Sequence, residues 1–313
     1  MSRAFVFPGQ GSQAVGMGRE LAEAFPAARQ VFQEVDDALS QKLSQLMFEG
    51  PEAELTLTEN AQPALMAMSL AVVRVLESEG KVDLAQAATF VAGHSLGEYS
   101  ALAAAGTFTL ADTARLLKIR GQAMQKAVPV GIGAMAALMG AELDLAKEIA
   151  AAAAEGDVCE AANDNGGAQV VVSGHKAAVE RAMKIAGERG VKRAILLPVS
   201  APFHCALMQP AADAMAEALL KVEMKHPKAP LVANVTAVRV TDPADIRDLL
   251  VRQVTGTVRW RESVLFMKAE GVTALVELGA GKVLGGLAKR IDKALSGSSV
   301  GTPADIEAFL KTL

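Results

Sequence analysis

The sequence predicts an α/β fold with a short, mostly parallel main sheet and a small antiparallel unit inserted in the middle of the chain. Two observations predict it. Short apolar runs alternate with helical patterns toward both ends of the 313-residue chain, the arrangement of a parallel sheet covered on both faces. Between them the patterns run strand, helix, strand, strand, helix, strand, which is the split ferredoxin-like unit.

In chain order, residues 4–7 form an apolar run that ends at Pro8-Gly9, a buried strand meeting a Gly-rich loop. Helical patterns cover 18–38 and 61–79, and a second apolar run at 89–93 enters His94-Ser95-Leu96-Gly97 before a helical stretch over 98–105. Residues 109–127 read as a helix with Asp112 in its first turn, closed off by Pro129 and Gly131. In the inserted unit, strands are expected at 134–139, 158–162, 169–173 and 193–199, with helices at 144–154 and 176–188. Beyond it, strands at 231–235 and 273–278 alternate with helices at 245–255 and 283–295. Residues 296–299 read as a Ser/Gly-rich linker before a short terminal helix.

Composition narrows the function. Half the residues are hydrophobic (51%) and the formal net charge is −4, which supplies a substantial core but no basic face for nucleic acid. Cys159 and Cys205 stand in no metal-type spacing and read as reduced thiols of a cytoplasmic protein. The start of the chain lacks the apolar stretch of a signal peptide, and the most apolar windows are broken by Gly or charge, so no membrane span is expected.

Gly93-His94-Ser95-Leu96-Gly97 fits G-x-S-x-G after a strand and before a helix, the setting in which that motif exposes a nucleophilic serine on a sharp turn. The flanking glycines leave room where a Cβ would clash. The helix start presents free N–H groups and a positive dipole end to developing oxyanion charge, with the Leu96 N–H as first donor. A serine needs a base, and the chain has four histidines. His94 adjoins Ser95 and should point away from it, His175 reads as a helix start, and His226 lies in a polar loop. His204 follows a strand end at the crossover between the two units and is the base by elimination. No acid between Ser95 and His204 sits clearly at a strand end, so a backbone carbonyl is the alternative third member. Gly9-Gln10-Gly11-Ser12-Gln13-Ala14 has the outline of a dinucleotide loop but lacks the acid at the end of a second strand. It reads instead as a tight loop facing the catalytic pocket.

Taken together, Phe7-Pro8-Gly9-Gln10-Gly11-Ser12-Gln13, Gly93-His94-Ser95-Leu96-Gly97-Glu98-Tyr99 and Pro202-Phe203-His204 resemble the malonyl-CoA:acyl-carrier-protein transacylases of fatty acid synthesis. The resemblance also takes in Val251-Arg252-Gln253 and Glu277-Leu278-Gly279-Ala280-Gly281-Lys282. It implies a hydrolase-like catalytic domain over 1–127 and 199–313, and a ferredoxin-like inserted domain over 128–198. It implies Ser95 as acyl carrier, His204 as its base oriented by the main-chain carbonyl of Gln253, and an oxyanion hole from the N–H groups of Gln10 and Leu96. Arg120 would take the malonyl carboxylate, and Asn163, Gln169 and Arg193 would contact coenzyme A. Phe203, bulky where some relatives carry a smaller residue, would narrow the pocket toward malonyl. The implied partners are malonyl-CoA and holo acyl carrier protein, with no cofactor, metal, nucleic acid or membrane, and a monomer is expected. Lys192-Arg193 and Lys289-Arg290 are candidates for meeting an acidic carrier. A serine esterase or thioesterase would use the same Ser-His pair, and a polyketide-pathway acyltransferase the same chemistry with another carrier. A non-catalytic scaffold of the same fold would need neither residue.

Overall fold

The computed structural model describes residues 2–199 and 201–312. Ser200, in the segment leading to His204, and the terminal residues Met1 and Leu313 lie outside the described residues. The strands are β1 (Arg3–Phe7), β2 (Phe90–Gly93), β3 (Gly133–Met139), β4 (Cys159–Asp164), β5 (Gln169–His175), β6 (Arg193–Leu196), β7 (Leu231–Val232), β8 (Arg239–Val240), β9 (Ala274–Leu278) and β10 (Ser296–Val300). The main sheet has the order β10-β9-β1-β2-β7-β8. It is parallel from β10 to β7, with β8 antiparallel at the edge.

Period-2 alternation sends the side chains of β1 to two different cores. Phe5 and Phe7 join the larger cluster, which includes Leu65, Val72 and Leu76 of the helix Thr58–Gly80. Ala4 and Val6 face the other way onto Trp260, Met267 and Leu275. A sheet buried on both faces explains why β1 is apolar without a break from Ala4 to Phe7 and why every residue of β9, Glu277 included, is buried.

The second sheet is antiparallel throughout, in the order β4-β5-β3-β6. The helices Leu143–Ala154 and Lys176–Glu188 pack on it around their own core of Leu138, Ile149, Val170, Val172 and Val179. The two parts meet where the segment at Val258 runs beside β4. The Val258 N–H donates to the Ala162 carbonyl (2.8 Å), and the Asp164 N–H donates to the Val258 carbonyl (2.9 Å). The register of β4 shifts at that point, between Ala161 and Asn163.

Several expectations need correction. Residues 296–299 are not a linker: Ser296–Val300 is the outermost parallel strand of the main sheet. Its small residues admit the neighbouring helix Val283–Ile291, for a Cβ on Gly297 would lie 2.0 Å from the Gly285 carbonyl oxygen. The helical pattern at 18–38 is two helices, Arg19–Ala24 and Pro26–Leu39. Pro26 at the first turn forces the preceding Phe25 into an extended conformation. The strands expected at 193–199 and 231–235 end at Leu196 and Val232, and the helix expected at 283–295 ends at Ile291. The helices Gln209–Leu219 and Trp260–Ala269 were not anticipated.

Candidate active site

Ser95 stands on a sharp turn between β2 and the helix Gly97–Ala104, at φ 54°. Its two flanking glycines are required by close backbone approach. A Cβ on Gly93 would lie 1.9 Å from the carbonyl carbon of Gly97, and one on Gly97 would lie 2.2 Å from the Phe7 carbonyl oxygen. The register Phe7↔Gly93 brings the end of β1 level with this turn.

The candidate base lies within reach. Ser95 Oγ is 2.8 Å from His204 Nε2, and His204 Nδ1 is 2.9 Å from the Gln253 carbonyl oxygen. A carbonyl can only accept, so Nδ1 carries the proton and Nε2 is left as the acceptor facing the serine. His204 is buried at φ 59°. Burial first, and the positive charge of Arg120 second, press its pKa down to about 3, against the raising effect of the Gln253 carbonyl. The imidazole therefore stays neutral at any ordinary pH.

Arg120, on the helix Leu110–Ala127, is only 1% exposed. Its guanidinium donates to Gln62 Oε1 (2.8 Å), Gln253 Oε1 (2.8 Å) and Ser95 Oγ (3.2 Å). The Nε–H has no partner among the described residues. A planar cation held beside a serine hydroxyl, with a donor to spare, has the chemistry to pair with a carboxylate.

Beneath the serine lies a buried polar network. Asn234 Oδ1 accepts from the Ser95 N–H (2.8 Å), and its Nδ2 donates to the Gly93 carbonyl (2.7 Å). Gln253 Nε2 donates to the Ser95 carbonyl (3.0 Å) and to Glu98 Oε2 (2.7 Å). Glu98 Oε2 also accepts from the Asn234 N–H (3.1 Å). Burial raises the Glu98 carboxyl to about 7, although the bonds from Gln253 and Asn234 and the charge of Arg120 pull it down.

Ser95 and His204 open on a cavity of about 460 Å³ that Gln10, Leu96, Arg120, Phe203 and Asn163 also line. An adjoining cavity of about 390 Å³ shares Gln10 and His94 and takes in Gln169, Lys282 and Arg290. Arg193 lines neither cavity; it is exposed at the start of β6, opposite Met139. The other histidines stand apart from the serine hydroxyl. His94 Nε2 bonds Asn165 Oδ1 at 2.9 Å, His175 Nδ1 accepts from the Val158 N–H, and His226 bonds the Thr241 carbonyl. Sequence reasoning missed Asn234, Glu98 and the side chain of Gln253. The available signal was positional, an Asn just past the end of β7 and an acid directly after the second glycine of the serine motif. Among the described residues no helix is long and apolar enough to cross a membrane, and no group of three or more His, Cys, Asp or Glu is gathered for a metal.

Known proteins resemble this chain over nearly its whole length. The acyl transferase domain model matches residues 4–295. A malonyl CoA-acyl carrier protein transacylase of Bacillus subtilis is 46% identical over 311 residues, 99% of this chain and 96% of the relative. Its counterpart in Escherichia coli K12 is 47% identical over 308 residues, 98% of each chain. Among solved structures, the acyl-carrier-protein S-malonyltransferase of Bartonella henselae superposes with a TM-score of 0.97 at 59% identity, covering 100% of this chain and 99% of that one. A malonyl-transacylase in complex with its type II polyketide acyl carrier protein superposes with a TM-score of 0.96 at 43% identity, covering 100% of both chains.

Proposed function

The chain belongs to the acyl transferase family, and from that premise we propose that Ser95 carries a malonyl group from coenzyme A to the thiol of holo acyl carrier protein, supplying malonyl units for fatty acid synthesis. The observation that carries the substrate reading is the buried guanidinium of Arg120, 3.2 Å from Ser95 Oγ. A site built for a neutral acyl group would have no use for a desolvated cation at that point. The curated relatives named above act on malonyl-CoA and acyl carrier protein by name.

In the first half-reaction His204 Nε2 takes the Ser95 proton as Oγ attacks the thioester carbonyl. The oxyanion is received by the N–H groups of Gln10 and Leu96, both on the cavity wall. Collapse expels the coenzyme A thiolate, which leaves with the proton held by His204. In the second half-reaction the carrier's thiol attacks the malonyl ester while His204 takes its proton. Ser95 Oγ then leaves and recovers that proton. The Gln253 carbonyl keeps the imidazole in the tautomer both steps need. Every group these steps use belongs to the chain or to its two substrates, so the reading requires no cofactor.

Asn163 on the cavity wall and Gln169 in the adjoining cavity are placed for the coenzyme A arm. Arg193 is exposed at the start of β6 and lines neither cavity, so the coenzyme A contact expected of it finds no support in the cavity lining. Phe203 lines the cavity, and in this reading its ring narrows the acyl end. The segment 128–198 serves as an inserted lobe forming one wall of the cleft, and the enzyme works as a cytoplasmic monomer.

Intact-mass spectrometry tests the reading. Malonyl-CoA should leave a malonyl adduct on Ser95 that persists until holo carrier protein is added and is absent in Ser95→Ala. Prompt release of free malonate would identify a hydrolase instead.

A further inference from the structure

Ser95, at φ 54°, occupies a left-handed backbone conformation that non-glycine residues keep only where the surrounding structure holds them, and it is half-buried on the cavity wall. Something must hold it there. Two amide side chains from distant parts of the chain do so. Asn234, on the loop after β7, brackets the turn by accepting from the Ser95 N–H (2.8 Å) and donating to the Gly93 carbonyl (2.7 Å). Gln253, near the end of the helix Pro243–Thr255, donates to the Ser95 carbonyl (3.0 Å). Both are fixed by one oxygen of Glu98, which accepts from the Asn234 N–H (3.1 Å) and Gln253 Nε2 (2.7 Å). Asn234, Gln253 and Glu98 are each at most 1% exposed, so water is a poor substitute for any of these bonds.

We infer that Asn234, anchored by Glu98 and paired with the side chain of Gln253, is a positioning residue that sets the geometry of the nucleophile independently of acyl recognition. None of its bonds goes directly to Arg120, Gln10 or Leu96; Gln253 Oε1 does accept from Arg120 (2.8 Å), but that guanidinium is held independently by Gln62 (2.8 Å). Losing it should misdirect Ser95 Oγ relative to His204 Nε2 while leaving the malonyl carboxylate site intact. The inference rests on Ser95 being the nucleophile proposed above, but not on malonyl being its substrate.

Two reagents separate these dependencies. Malonyl-CoA uses both the nucleophile and the carboxylate site. A small fluorophosphonate uses the nucleophile alone: the Oγ–P bond forms, the P–F bond breaks, and the serine proton passes to His204. In Asn234→Ala both single-turnover rates should fall by a common factor of about 10–10², with the half-saturating malonyl-CoA concentration unchanged within about twofold, as for sites that act independently. Asn234→Asp preserves shape, and its carboxylate accepts from Ser95 but cannot donate to Gly93. It should show the same parallel loss, and it serves if the alanine variant does not fold. A fall confined to malonyl-CoA, or unchanged rates accompanied only by a lowered melting temperature, would overturn the positioning role. A native enzyme that reacts with the phosphonate but never with malonyl-CoA would refute the substrate reading and leave this inference standing.

Discussion

In the proposed reading, charge placement at single residues decides what the serine accepts. Arg120 is buried and donates to Gln62, Gln253 and Ser95, so its cation is already desolvated before substrate arrives. A carboxylate relieves that penalty and an acetyl methyl cannot. A charge-assisted bond of about 1.5–3 kcal/mol corresponds to a preference of roughly 10–10²-fold. Arg120→Ala should therefore lose about that much malonyl-over-acetyl selectivity in competing transfer assays, and unchanged selectivity would remove Arg120 from recognition. His204→Ala should slow both half-reactions by about 10²–10⁴-fold, and an unaffected rate would redirect attention to His94. At this scale the sequence was informative about the groups that face the cavity, because serine, imidazole and guanidinium advertise their chemistry. For Asn234 and Glu98 it carried only a signal of position. A buried amide has no motif of its own, and its role exists only once β2, the loop after β7 and the helix Pro243–Thr255 meet.

Elements show the same division. The turn between β2 and the helix Gly97–Ala104 was legible because steric demands there write glycine into the sequence on both sides of the serine. The strand β10 was not legible, since Ser296–Val300 has too few apolar side chains to signal burial and is held by backbone pairing to β9. Helix ends after 291 and before 26 were set by local backbone geometry that periodicity averages over. The steric claim predicts a contrast between two glycines. In Gly93→Ala the added methyl meets backbone at 1.9 Å, which no rotamer can relieve, so a loss of more than about 4 kcal/mol is expected. In Gly187→Ala, within the helix Lys176–Glu188, nothing lies within 4 Å of the added carbon, and a gain of about 0.5–1 kcal/mol is expected. Urea midpoints would decide between this and a turn in which Gly93 is merely convenient.

Across the whole molecule, the cleft lies where the C-terminal ends of β1 and β2 meet the second sheet, the region in which open α/β sheets bind ligands. Drawing segments from so many places to one point leaves a carboxyl group buried at the centre, and that has a consequence for folding. The Glu98 carboxyl stands at about 7 in the folded chain against an ordinary 4.5. Between those values the native state holds more of that proton than the unfolded state does, so Glu98 makes stability fall as pH rises from about 4.5 to 7 and contributes no further change above. His204 acts in the opposite sense. Its pKa of about 3 against an ordinary 6.5 makes stability fall as pH drops through that lower window. Glu98→Gln keeps an acceptor for Asn234 and Gln253 but removes the titration. The variant should therefore gain on the native protein as pH rises from 4.5 to 7, by an amount on the order of a few kcal/mol, and the difference should level off beyond neutrality. Denaturant melts of both proteins at several pH values measure this directly. Curves that stay parallel across the window would mean that the Glu98 carboxylate is ionised in the fold at its ordinary pH, and that the network around Ser95 is fully charged rather than poised near neutrality.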